Sequence, residues 1–185
     1  MKESTQRRLE IVILLVAAHV IGLAAGLAAL LFERLLPIAQ GLFFDGVFGL
    51  ERERSLLPEP GALDMIRHAL APGLGGQLLG LLLHVLPKEA RGHGVAEVLE
   101  AVVARHGRMP RLVGVLRMLT ATITIGSGGS AGKEGPMVQI GASTGSLIGE
   151  LFRLPERRRR VLLACGASAG IAAAFNAPFA GAVFA

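Results

Sequence analysis

The chain has 185 residues, 52% of them hydrophobic and 18% charged, and its mean hydropathy of +0.57 exceeds what a water-soluble domain of this length needs for its core. The net charge of +5 comes without any Trp or Tyr, so the stacking platforms of a nucleic-acid binder are missing and no nucleic-acid partner is expected. A lone cysteine, Cys165, excludes a disulfide framework and a cysteine-based zinc site.

The composition points to a lipid bilayer as partner. Lys2, Arg7 and Arg8 precede an uncharged run at 11–32, which at about 1.5 Å per residue is long enough to cross the hydrocarbon core as a helix. The flanking cations favour a cytoplasmic N-terminus. The run is too long for the apolar part of a signal peptide, and no clear small-residue cleavage site follows it. Residues 1–36 are therefore read as a cytoplasmic N-terminus and first membrane helix. Residues 37–72, containing "ERER" and "PEPG", are read as an extramembrane connector.

From 73 to 185 the segments are shorter and broken. "LGGQLLGLLLHVL" at 74–86 needs its flanks to cross a membrane. "VAEVLEAVVARH" at 95–106 makes a helix of only about 18 Å, preceded by Gly92 and Gly94. An apolar stretch at 112–125 ends in "TATITI", and another at 135–152 opens with Pro136 in its first turn, where a missing N–H costs nothing. Gly141, Gly145 and Gly149 fall on one helix face, as do Gly166 and Gly170, which lets backbones approach closely in lipid. The arginines at 153–160 mark a basic loop at the membrane surface. In "FNAP", Asn176 is read as the N-cap of a last helix, with Pro178 in its first turn. Breaks near Gly92, Gly126 and Asn176 at membrane depth imply a polar pathway, because lipid cannot satisfy free backbone groups.

"GSGGSAGKEGP", residues 126–136, joins two of these apolar segments. A nucleotide phosphate loop requires Gly, four residues, then Gly-Lys-Ser/Thr. Here Ser127 occupies the first glycine position and Glu134 follows Lys133. Gly126, Gly128 and Ala131 fit G-x-G-x-x-A after a strand-like "TITI", but Glu150 would then have to end a second strand. The electrostatic reading asks less. A helix N-terminus offers free N–H groups and about half a positive charge, so two of them converging inside a bilayer can replace part of a small anion's hydration. Glu134, in the first turn, would compete with that anion when ionised and release the site when protonated. A carboxylate that only caps the helix dipole or pairs with Lys133 is the plainer alternative.

"GKEGPMVQIGASTGSLIG" and "LLACGASAGIAAAFNAPFAGAVF" resemble the CLC family of chloride channels and proton-coupled chloride transporters, and "GHGVAEV" sits where that family has a G-S-G-I-P-E type motif. The resemblance covers 92–185; before that only the hydropathy is similar. It implies an all-α, multi-span membrane fold with short, broken and re-entrant helices, corresponding to the first half of the family's inverted repeat. It implies Glu134 as gating glutamate and Lys133 as the basic residue before it. Gly132, Gly135 and Pro136 would form the helix start that faces the anion. Gly92, His93, Gly94 and Val95 align with the first anion-binding motif, with His93 at the position of the usual serine and Ala96 at that of a proline. The family's G-x-F-x-P motif, its anion-contacting tyrosine and its inner proton-transfer glutamate belong to later sequence, so a fragment of a longer protein is expected. The implied activity is chloride transport as a channel or a proton-coupled antiporter in the cell's inner membrane. The complete protein would be a homodimer without a cofactor, and not an enzyme. A non-transporting membrane subunit or degenerate remnant is the alternative; a nucleotide-binding membrane protein comes third.

Overall fold

A computed structural model describes residues 2–47, 62–86 and 94–184, and every regular element among them is helical. In chain order these are α1 (Lys2–Gly41), closed by a π-helical segment (Leu42–Val47), α2 (Ala62–Val85), α3 (Val95–Val103), α4 (Val113–Gly126), α5 (Glu134–Leu151), α6 (Glu156–Phe175) and α7 (Pro178–Phe184).

Two helices extend into the span read as a connector. α1 continues through Pro37 and α2 contains Pro72, so helix enters the 37–72 region from both sides. Membrane helices tolerate such prolines when neighbouring groups satisfy the freed carbonyl. Residues 12–45 are long and apolar enough to cross a membrane, with a mean hydropathy of 2.4 and only 22% of the most apolar stretch buried. One stripe of α1 faces protein and the rest is left apolar and exposed, as Leu23 (71%) and Leu27 (66%) show.

α5 is the axis of the assembly. Ala17 and Ile21 of α1 cluster with Ile148 of α5 and Leu162 of α6. Ala29 and Phe32 cluster with Met137 of α5 and Ala174 of α6. The two clusters fix direction: α1 and α6 run the same way and α5 runs against both. Lipid supplies no hydrophobic drive between apolar helices, so close van der Waals contact must hold them. The expected glycine faces provide it. A Cβ on Gly141 would meet the Gly166 carbonyl, one on Gly145 the Leu162 carbonyl, and one on Gly170 the Met137 carbonyl.

α3 and α4 complete the group around α5. Val98 and Ala101 of α3 join Met109, Val113, Val138 and Leu163 in a third cluster. Ser146 Oγ donates to Gly107 O at 3.0 Å and accepts from the Met109 N–H at 2.9 Å, so the α3–α4 turn is pinned to the far half of α5. The same turn touches α6, where buried Arg159 donates from Nε to His106 O at 3.0 Å. Beside it the Glu156 carboxyl is held below the usual carboxylate range, chiefly by its hydrogen bond to His106 and further by Arg160 and Arg159.

Two sequence readings are corrected here. "TITI" lies in α4 rather than in a strand, which removes the strand–loop–helix frame a dinucleotide site requires. Asn176 does not cap the start of α7. It ends α6 in the left-handed region (φ 50, ψ 39), and the next amide, Ala177 N–H, reaches back to Ala172 O at 3.0 Å. Asparagine is among the few residues besides glycine that take this conformation readily, which suits it to a helix C-terminus.

Candidate anion site at the starts of α3 and α5

The loop at 127–133 is held before it reaches α5. Ser127 is buried, donates to Thr124 O at 3.0 Å, and fills the space a side chain would need on Gly75 of α2. α5 then begins at Glu134 with no side-chain cap, and the first amide to bond backward is Met137 N–H, to Lys133 O at 3.2 Å. Pro136 has no N–H. The Glu134 and Gly135 amides therefore precede the helical ladder and carry the positive end of the dipole.

Glu134 is half-buried and its carboxylate folds back over the loop: a Cβ on Gly132 would overlap Glu134 Oε2. Lys133 does not pair with Glu134. Its Nζ donates to Glu33 Oε1 of α1 at 3.1 Å, so the plain alternative of a Lys133–Glu134 pair does not hold, and the Glu134 side chain forms no ion pair among the described residues. Gly132, Lys133, Glu134, Gly135 and Pro136 are thus brought into one turn.

Of the other expected anion ligands, Gly92 and His93 lie outside the described residues. Gly94 precedes α3 with φ 69 and ψ −129, a conformation open to glycine and strained for any residue with a Cβ. Val95 opens α3 with its side chain exposed.

The two helix starts are tied together by a bond that motif reading misses. Gln139 Nε2 of α5 donates to Glu97 Oε2 of α3 at 2.7 Å, with both residues buried. Glu97 lies in the first turn of α3 and Gln139 in the second turn of α5. At about 1.5 Å rise per residue, both N-termini are within two turns of that bond. Further along, the α3–α4 turn meets α5 at Ser146, so α3 and α5 run in the same sense with their positive ends side by side. Glu97 also interacts electrostatically with Arg117 of α4. The available signal was plain: a charged residue inside a membrane segment is expensive and marks a functional region, and Arg117 interrupts an otherwise apolar run.

A cavity of about 350 Å³ opens beside this arrangement, bordered by Arg117, Thr120, Thr124, Gly132, Pro136 and Gln139. Thr120 donates to Leu116 O at 3.0 Å and Thr124 to Thr120 O at 2.8 Å, so both hydroxyl protons are used within α4. Donors to an occupant must come from backbone amides or from charged and amide side chains.

Comparison with known proteins bears on the fold and the family. The family model described as voltage gated chloride channel matches residues 75–185. A ClcB-like protein of Ralstonia nicotianae is 36% identical over 175 residues, covering 92% of this chain and 39% of that protein. The voltage-gated ClC-type chloride channel ClcB of Escherichia coli K12 is 31% identical over 172 residues, covering 92% and 40%. A solved slow cyanobacterial Cl−/H+ antiporter superposes with a TM-score of 0.69 at 28% identity, over 91% of this chain and 38% of its own. The chain thus spans about two fifths of the length of these relatives. Similarity reaches well before residue 92, so the N-terminal part shares more than hydropathy with them. Together with the all-helical, broken-helix fold, these matches establish that the chain belongs to the voltage-gated chloride channel (CLC) family of integral membrane proteins.

Proposed function

We propose that residues 73–185 form part of a transmembrane chloride pathway, with residues 1–36 as a cytoplasmic N-terminus and first membrane helix and residues 37–72 as a connector. The observation that carries this reading is the Glu134 carboxylate folded over Gly132 at the uncapped start of α5, beside the start of α3. An anion there would take the free amides of Glu134 and Gly135, and the backbone from Gly92 through Val95, with His93, would close it from the α3 side. Glu134 ionised holds the anion's place; protonated, it loses its attraction to the helix end and leaves. Lys133, engaged with Glu33, adds positive potential without blocking the turn. Transport is of chloride, through a channel or in exchange for protons, in the inner membrane, by a homodimer of the complete protein.

In liposomes carrying the complete protein, Glu134→Gln removes the titrating gate. Chloride efflux is expected to lose most of its pH dependence, and any coupled proton flux to fall at least tenfold. Unchanged pH dependence and coupling contradict the gate. A second reading, a non-transporting membrane subunit, draws on Gly141, Gly145, Gly166 and Gly170, whose open faces are all taken up by helix packing. It predicts no chloride flux from the wild-type protein.

A further inference from the structure

The end of the bundle away from the anion site carries an unusual density of one residue type. Residues 105–111 hold three arginines and no acid, and residues 153–160 hold five arginines and one glutamate. The fold brings these loops together: Arg159 Nε donates to His106 O, and a Cβ on Gly107 would stand 2.8 Å from Arg160 N. The N-terminal part of α1 lies at the same end, because Leu14 and Ala17 pack with Leu154 and Ile148.

Most of the local acid is already engaged. Arg105 pairs with Glu100 at 3.0 Å, Arg111 with Glu150 at 3.5 Å, and Arg160 with Glu156. Arg108, Arg153 and Arg157 are exposed and, among the described residues, have no ion-pair partner. Apolar side chains flank them: Leu151 is 75% exposed, Leu112 62% and Phe152 58%. Guanidinium groups beside exposed apolar side chains suit one occupant, an anionic phospholipid, whose phosphate takes the planar donor fork and whose acyl chains cover the apolar rim. Soluble phosphate has no use for the apolar part.

We propose that Arg108, Arg153 and Arg157 form a binding surface for anionic phospholipid headgroups at the cytoplasmic end of the bundle. The surface retains phosphatidylglycerol-type lipid against zwitterionic lipid, independently of anion passage at Glu134.

The test purifies the full chain from mixed micelles containing equal phosphatidylglycerol and phosphatidylcholine and quantifies the lipid that stays bound. Enrichment of phosphatidylglycerol by threefold or more is expected. It should fall to near parity when Arg108, Arg153 and Arg157 are all changed to Gln, and persist when all three are changed to Lys. Should the Gln variant fail to fold, a salt titration of the wild type keeps the proposal open to refutation, since enrichment must decline as ionic strength rises. Parity in the wild type, equal enrichment in a folded Gln variant, or insensitivity to salt would overturn it. Stripping of the lipid by inorganic phosphate beyond the effect of sodium chloride at equal ionic strength would assign the surface to free phosphate instead, and overturn it as well.

Discussion

Gly132 and Gln139 separate two ways in which one residue can matter to the site. At Gly132 an added Cβ meets only the carboxylate tip of Glu134, the mobile end of a flexible side chain. Gly132→Ala is therefore expected to leave stability within about 0.5 kcal/mol of wild type while displacing the Glu134 carboxylate. Thermal unfolding in detergent would read the first effect and the pH dependence of chloride efflux the second; a large loss of stability with unchanged efflux would contradict the folded-back position. Gln139 is the reverse case. Gln139→Leu keeps most of the volume but leaves the buried Glu97 oxygen without its donor, at a cost of about 1–3 kcal/mol or more because the acceptor is charged. A denaturant midpoint equal to wild type would show that the bond does not hold α3 against α5.

Helix α5 collects the consequences of its sequence at the next scale. Its glycines and serines are spaced so that α6 lies against one side and α4 against another: Gly145 meets the backbone of Leu162 and Leu163, and Ser143 fills the side-chain space of Gly114. Backbone cannot move aside as a side-chain tip can. Gly145→Val is expected to destabilise the bundle by about 1–3 kcal/mol or more, whereas Gly26→Val on α1, with nothing within 4 Å of the added carbon, should cost far less. Equal unfolding midpoints for the two variants would refute close α5–α6 packing. This part of the fold was legible in the sequence because spacing alone carries it: a four-residue repeat of glycine on an apolar helix has one physical use in lipid. The end of α6 near Phe175 and the start of α5 beside Pro136 were legible for a similar local reason. Asn176 was not, since the same side chain suits a helix N-cap and a left-handed C-terminus, and only the path of the chain decides. Helix continues through Pro37 and Pro72, inside the span read as a connector from its "ERER" and "PEPG".

Across the whole molecule, the motif residues and the residues that position them are different sets. The motif turn at 132–136 could be found by its own pattern, because glycine, a charge pair and a helix-starting proline between apolar runs have few uses. Arg117 could be singled out as a charge inside an apolar run, but the pairings of Glu97, Gln139 and Glu33 could not be read, since each acts through a partner distant in sequence: Glu33 meets Lys133 one hundred positions away, and Gln139 meets Glu97 across forty-two. Those long-range ties bind α1, α3 and α4 to the start of α5 and set two electropositive helix ends side by side. The surface arginines at the other end form a separate system, so loss of lipid selectivity there should leave the anion site intact.

The claim that Glu134 and a halide share one position at these helix starts is tested most directly by anomalous diffraction from bromide-soaked crystals of the complete protein, wild type and Glu134→Gln. The account predicts a bromide peak within hydrogen-bonding reach of the Gly135 amide and beside the start of α3, stronger in Glu134→Gln, where the carboxylate no longer competes. Absence of bromide from the cavity in both proteins, or a Glu134 side chain directed into lipid, would contradict it.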